Sequence, residues 1–284
     1  MGTTAHASTP PAHQQLPTFV VFQEAHLQHA YALLQAAMQA GGMQANLVPA
    51  PQSNEVRSLY QIQRGFTHVD MVPASPQRLQ LLKEGKLRMI PVPLDRGLLG
   101  WRVNLLLQSK AEQLRDVRDK NALAKFTLGQ HAGWTDIEIY QHAGLPVKPI
   151  KRWSHGEFAE QMQAGFIDLF PLGIEEAVTY FLPHFQKRYP QLTMDQHVLV
   201  RYPWYRFVWV SAAPSADPLY EALVNGFERI VQSGEFLRIW NAYRQVPPAH
   251  LYQNRAIIDI PNPFFDIATI PEHYRKLLLL PHLP

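Results

Sequence analysis

Apolar positions along this chain follow two rhythms in turn. Between residues 27 and 39 they fall at Leu27, Ala30, Tyr31, Leu34, Ala37 and Met38, the spacing of one helix face, and Gly41-Gly42 ends that helix. Continuous apolar runs at 16–23 and 45–49 flank it and read as strands covered on both faces. The alternation then recurs. Ser53 is a candidate N-cap for a helix over 55–64, a strand follows at 69–72, and Ser75-Pro76 opens a helix to Lys83 with proline at the favoured first position. Residues 87–93 and 98–107 read as strands. The stretch 109–121 is polar and has no core face, as a connection between lobes would. A second series follows: strand 125–129, helix 136–142, strand 147–151, helix 156–164, strand 167–170 and helix 175–181. Residues 198–211 are aromatic and β-prone, and 218–243 form an amphipathic helix. The tail from Pro247, rich in proline and aromatics, is expected to wrap the surface. Strands alternating with helices imply largely parallel sheets.

Part of the pattern occurs twice. Gln63-Arg64-Gly65-Phe66 runs into an apolar strand carrying Asp70 and ending at Pro73, and Gln163-Ala164-Gly165-Phe166 runs into one carrying Asp168 and ending at Pro171. Each copy reads as helix, glycine in the left-handed position that ends it, then buried strand. Two related α/β lobes follow from this, and clefts between lobes are favoured ligand sites.

Composition narrows the picture. With 284 residues, 46% hydrophobic and 17% charged, the chain can bury one large or two medium cores. A net charge of +3 with scattered basic residues argues against nucleic acid and against a basic membrane-binding helix. No cysteine is present, which removes disulfides, thiolate metal sites and cysteine nucleophiles. No run approaches the roughly 18 apolar residues that span a bilayer. Ala5-His6-Ala7 before Ser8 has the small-x-small form of a signal-peptidase site, without the basic and apolar regions that precede one. Residues 1–15 are therefore read as the remnant of a removed signal peptide or a disordered tail, against the alternative of an ordinary polar tail.

Candidate chemistry is sparse. Around Gly129-Gln130-His131-Ala132-Gly133-Trp134-Thr135-Asp136 a strand turns into a helix, where free N–H groups and the Thr135 hydroxyl can hold an anion; an ordinary N-cap is the alternative. Arg78, just after Ser75, offers a planar fork for a carboxylate or is a solvated surface arginine. Arg102, inside the apolar run 97–107, needs a carboxylate partner, a ligand or an exposed face. His26 and His29 stand one turn apart and read as a solvated helix face. Glu175 and Glu176 suit a helix start. Nucleophile-elbow, dinucleotide, P-loop and zinc-protease patterns are all absent, and neither a metal site nor a cofactor is expected.

Together these elements resemble the extracellular solute-binding proteins of the polar-amino-acid ABC-transporter type, which have the type II periplasmic-binding fold. They are most similar to a divergent branch with a Gly-Leu-Leu-Gly-aromatic-Arg strand. Gly97–Arg102 matches that element, Ser75-Pro76-Gln77-Arg78 resembles the Thr-x-x-Arg of the first lobe, and Gly133-Trp134-Thr135 resembles the Gly-Thr/Ser-Thr of the second. The similarity spans roughly residues 17 to 270. It implies that Arg78 and Thr135 hold a ligand carboxylate from opposite lobes, with Ser75, Trp101, Arg102 and Trp134 around them. The chain departs from the pattern at Gly173, where an Asp usually receives the ligand's amine, and Glu175 is the candidate substitute.

The resulting expectation is a two-lobed α/β protein, lobe one at 16–107 plus 201–284 and lobe two at 108–200, with mixed or parallel sheets and a hinge. It would be a periplasmic monomer that captures a small carboxylate-bearing, amino-acid-like molecule and serves an ABC permease or a membrane sensor. An extracytoplasmic sensory ligand-binding module is the alternative. A lyase-like or cyclohydrolase-like enzyme is a further rival, which would need an acid–base pair such as Glu175 with His131.

Overall fold

Two mixed sheets carry the molecule, and the chain passes between them. The computed structural model describes residues 16–51, 55–244 and 246–279; the cleavage-like segment before Ser8 and the Ser53 cap lie outside the described residues. The first sheet has β1 (Thr18–Val21), β2 (Asn46–Pro49), β3 (Val69–Pro73), β4 (Leu87–Ile90) and β11 (Arg206–Ser211), in the order β2-β1-β3-β11-β4. The second has β5 (Trp101–Leu107), β8 (Phe170–Gly173), β9 (Leu192–Met194), β10 (Val198–Arg201) and β12 (Ala256–Asp259). Beside it, β6 (Leu128–His131) pairs with β7 (Val147–Ile150), and Leu128 bridges to Leu169 just before β8.

Direction follows from how each strand arrives. β1 reaches β2 and β3 through helices α1 (Gln28–Ala40) and α2 (Glu55–Gln63), and both pairs are parallel. β11 enters from the second sheet with no crossover helix and pairs antiparallel with β3 and β4. The β-prone stretch 198–211 is thus two strands in two sheets, divided at 202–205.

The repeated helix ends have the same geometry. Gly65 (φ 75°) and Gly165 (φ 73°) are both left-handed, and the next amides, of Phe66 and Phe166, donate to Gln61 O and Gln161 O at 2.9 Å each. Beyond them the copies diverge. Asp70 lies within β3 and is buried, whereas Asp168 precedes β8 and is held by Lys110 (2.8 Å) and the Thr127 amide (2.9 Å).

Two strands pair differently from the expected partition. β5, expected with lobe one, pairs with β8, β9 and β10 in the second sheet, and the tail strand β12 adds to β10 in parallel. Nor is the tail a surface wrap: Ile258, Ile260, Phe265, Ile270, Tyr274 and Leu277 are buried. Its apolar side chains close the hinge end of the second sheet and then return to the first core. The connection 109–121 does not join the lobes either, because Leu114 and Val117 pack in the second core.

The chain therefore crosses between sheets at residues 91–100, at 202–205, and twice more through the tail. At the first two crossings the backbones touch. The Tyr202 amide donates to Gly100 O (3.1 Å), and a Cβ on Gly100 would stand 2.1 Å from Tyr202 O. This close approach explains the second glycine of Gly-Leu-Leu-Gly. Gly100→Ala should cost at least about 1–3 kcal/mol by forcing the crossings apart. Urea denaturation measures it, and an unchanged midpoint would mean that the crossings yield freely.

Candidate functional site

Where the crossings meet the lobes, the chain leaves a recess of ≈ 320 Å³, open solvent at its mouth included. Leu27 and His29 enter from the start of the first helical segment, Asp95, Leu98 and Leu99 from the first crossing, and Arg206 from the first residue of β11. Gly173, Glu175 and Glu176 come from the end of β8, and Trp240 and Arg244 from the end of the helix Glu235–Tyr243. First-lobe groups thus face second-lobe carboxylates across an apolar floor.

Two arginines make the junction. Arg206 donates from Nη1 to Met71 O (3.3 Å) and from Nη2 to Glu176 Oε1 (3.2 Å). Arg244 donates from Nε to His29 Nδ1 (3.0 Å), from Nη2 to His26 O (2.7 Å), and from Nη1 to Glu175 Oε1. His29 Nδ1 accepts this hydrogen bond, so that nitrogen carries no proton and the imidazole is neutral. Burial first, then Arg244, Arg206 and His26, holds its pKa well below the usual histidine value. Burial raises the Glu175 carboxyl against the pull of Arg244.

Glu176 stands in an informative place. Its Oε2 lies 3.2 Å from where a Cβ on Gly173 would be, so a carboxylate reaches the position at which the resembled family carries its Asp. Sequence reading nominated Glu175 for this substitution, but Glu175 is turned to Arg244 and Thr179.

Of the other residues expected from sequence to hold a ligand, none lines the recess. Arg78 is fully buried, with Nη2 on Asp70 Oδ2 (2.8 Å) and Ser58 Oγ (3.3 Å) and Nε on Glu55 Oε1 (3.2 Å). Burial opposes its charge, and the Asp70 and Glu55 carboxylates overcome that and raise its pKa. Ser75 caps the helix Pro76–Lys83 by accepting from the Arg78 amide. Arg102 is buried against Asp136 Oδ1 (2.5 Å) and the Tyr202 hydroxyl (2.8 Å), so a carboxylate partner answers its place in an apolar strand. Trp101 packs edge-on to Tyr252. Trp134 sits among His131, Trp153 and Phe170, and Thr135 starts a helix without a side-chain capping bond. His131 bonds to Ile150 O, far from the partners of Glu175, so no acid–base pair assembles there.

Sequence reading missed Arg206, Arg244, His29, Asp95 and Glu176. His29 follows His26 on an apparently solvated face, yet it is 2% exposed. A hint was available in Arg206, a charge at the start of an apolar strand, much as Arg102 is a charge within one.

No family model matches the chain, and no curated protein matches its sequence. Solved structures do. An ancestral arginine-binding protein bound to glutamine is similar at TM-score 0.55, covering 80% of this chain and 97% of its own at 14% identity. The GluR0 ligand-binding core in complex with L-glutamate gives 0.57, 82% and 100% coverage and 10% identity. An amino acid ABC transporter substrate-binding protein, AbpA of Streptococcus pneumoniae, bound to L-arginine, gives 0.52, 81% and 97% coverage and 14% identity. Likeness of this kind shows a two-lobed type II periplasmic-binding fold.

Two consequences can be measured. Arg78→Met strands Asp70, 1% exposed, without its cation and should cost about 3–5 kcal/mol. Adding Asp70→Asn should restore part of this, and a wild-type melting curve for Arg78→Met would show that the pair carries no stability. The second concerns acid. Unfolded His29 takes a proton near 6.5, while the folded chain resists until well below that. Between those values the unfolded state binds more protons, so stability falls as pH falls. Melting temperature should therefore drop less for His29→Gln than for wild type from about pH 7.5 to about pH 5.5; parallel curves would exclude His29.

Proposed function

We propose that this chain is an extracytoplasmic solute-binding protein that captures a small, amino-acid-like carboxylate between its lobes for ABC-type uptake. The observation that carries this reading is the recess itself. Two guanidinium groups of one lobe meet two carboxylates of the other over an apolar floor of Leu27, Leu98, Leu99 and Trp240. An arginine that can trade a protein carboxylate for a ligand's is a bidentate clamp of the kind carboxylates select. The solved structures of this fold are binding proteins and a ligand-binding core, two of them holding L-arginine or L-glutamate, which supports an amino-acid-like ligand.

The moving bodies in this reading are residues 16–90, 206–244 and 264–279 against 101–201 and 256–259. The crossings are the hinges, and ligand contacts to both bodies favour the closed state. No bond-making chemistry takes part. Among the described residues no helix is long and apolar enough to cross a membrane, and a periplasmic place belongs to this proposal.

Thermal-shift screening of amino acids and small carboxylates, with calorimetry on any hit, is the test. Arg244→Gln should weaken binding of the carboxylate hit, by less than the roughly 2–5 kcal/mol of a fully desolvated pair because Glu175 already holds the arginine without ligand. Glu175→Gln should strengthen it, because the ligand no longer competes with a protein carboxylate for Arg244. If Glu175→Gln weakens a ligand that has no amine, the exchange is wrong. If no carboxylate shifts the melting temperature, the reading fails.

A further inference from the structure

One carboxylate oxygen in the recess is left without a hydrogen bond among the described residues. Asp95 leads the first crossing, and its Oδ1 accepts from the Gly97 amide (3.2 Å), fixing the turn. Its Oδ2 is buried and makes no hydrogen bond within 3.5 Å among the described residues, although the Arg206 amide also acts on this carboxyl. The neighbouring cations are already engaged, Arg206 by Glu176 and Met71 O, and Arg244 by Glu175, His29 and His26 O. A buried carboxylate oxygen left open is costly unless something fills it. The lining it shares combines the apolar Leu98, Leu99 and Trp240 with the charges of Arg206 and Glu176, both of which act on the Asp95 carboxyl.

Resting on the cleft reading above, we propose that Asp95 anchors a cationic donor of the ligand, an ammonium or guanidinium group, through Oδ2. The amine contact then comes from the crossing segment and not from the second lobe. There the two carboxylates, Glu175 and Glu176, are each bound to an arginine, and position 173 has no side chain. Geometry favours this division. Arg206 opens β11 directly across the crossing, with its O accepting from the Leu94 amide (3.0 Å), so Asp95 and Arg206 present opposite charges from joined segments to one recess. Burial, aided by Glu176, pushes the Asp95 carboxyl up to about 6 against the Arg206 charge and the Gly97 and Arg206 amides, and a ligand cation at Oδ2 would lower it again.

The alternative role is that of a turn-forming residue with a water on Oδ2. Asp95→Asn separates the two, because the amide keeps an oxygen for Gly97 while losing the charge. In the full chain without ligand, the proposal expects Asp95→Asn to melt no lower than wild type, since a buried charge without a partner has been removed. A lower melting temperature would assign Asp95 to the fold and overturn the proposal.

Binding is then read with three kinds of probe at neutral pH: 4-aminobutyrate, butyrate, and the amine-only pair putrescine and agmatine. Asp95→Asn should weaken 4-aminobutyrate and the amine-only probes on the order of 30-fold or more and leave butyrate unchanged. Loss of all three alike, or of none, overturns the assignment. Butyrate binding without any amine effect sinks Asp95 and leaves the cleft reading standing. Amine binding that depends on Asp95, with no carboxylate bound, does the reverse. Silence from every probe with wild type rejects both.

Discussion

The Arg206 guanidinium is the point through which the two halves of this molecule meet. Its backbone begins β11, in register with Pro73 of β3, and its carbonyl accepts from Leu94 in the first crossing. Its side chain holds Met71 O of the first sheet with one nitrogen and Glu176 of the second lobe with another. One residue therefore bonds to the first sheet, a hinge segment and the opposing lobe. Position explains the choice of arginine: it lies where the chain re-enters the first sheet, at the end of a strand, so a long side chain can reach back across the junction. Its planar fork allows two directions at once, which a lysine would not offer in fixed geometry.

The crossings set how that junction can move. Gly100 and Tyr202 touch backbone to backbone, so the two inner crossings behave as a paired unit. The tail adds an outer strap. β12 joins the second sheet beside β10, and the segment after it packs Phe265 against Tyr205 and Phe207, then anchors Leu277 O and the Leu279 amide on Arg96. Opening must pivot about these contacts and cannot pull the lobes apart, because each end of the strap is fixed to a different body. This favours hinge rotation over sliding.

Much of this was legible in sequence, and what was not has one physical cause. Helix faces, capping glycines and strands are local and periodic, so the two α/β series and the Gly65 and Gly165 ends could be read directly. Partners are not local. Arg78 finds Asp70 eight residues earlier and Arg102 finds Asp136, and nothing in spacing separates an arginine that meets a ligand from one that meets an internal carboxylate. Sequence reading favoured the first for Arg78, and the structure brings it the second. The recess residues were harder still, because Arg206 and Glu176 lie 30 positions apart, Arg244 and Glu175 69, and Arg244 and His29 215. Strand β5 was assigned to the wrong sheet for a related reason. An apolar strand after β4 looks like the next strand of the same sheet unless the chain is known to cross.

The charge arrangement also bears on how tightly such a cleft can hold anything. Both guanidinium groups are engaged, by Glu175, Glu176, His29 and backbone carbonyls. In the proposed function a ligand carboxylate would enter by exchange, its gain being the difference between its own bonds to arginine and those of a glutamate that must find water or another donor. Exchange of like for like gives a small net free energy from the anion alone, since desolvation is incurred on both sides. Selectivity must then come from what is not already paired: the dry floor of Leu27, Leu98, Leu99 and Trp240, and the open oxygen of Asp95. The same pairing gives closure a source other than ligand. Two ion pairs bridge the lobes in this arrangement, so on the proposed function a ligand would shift the balance between open and closed forms only by what it binds better in the closed one.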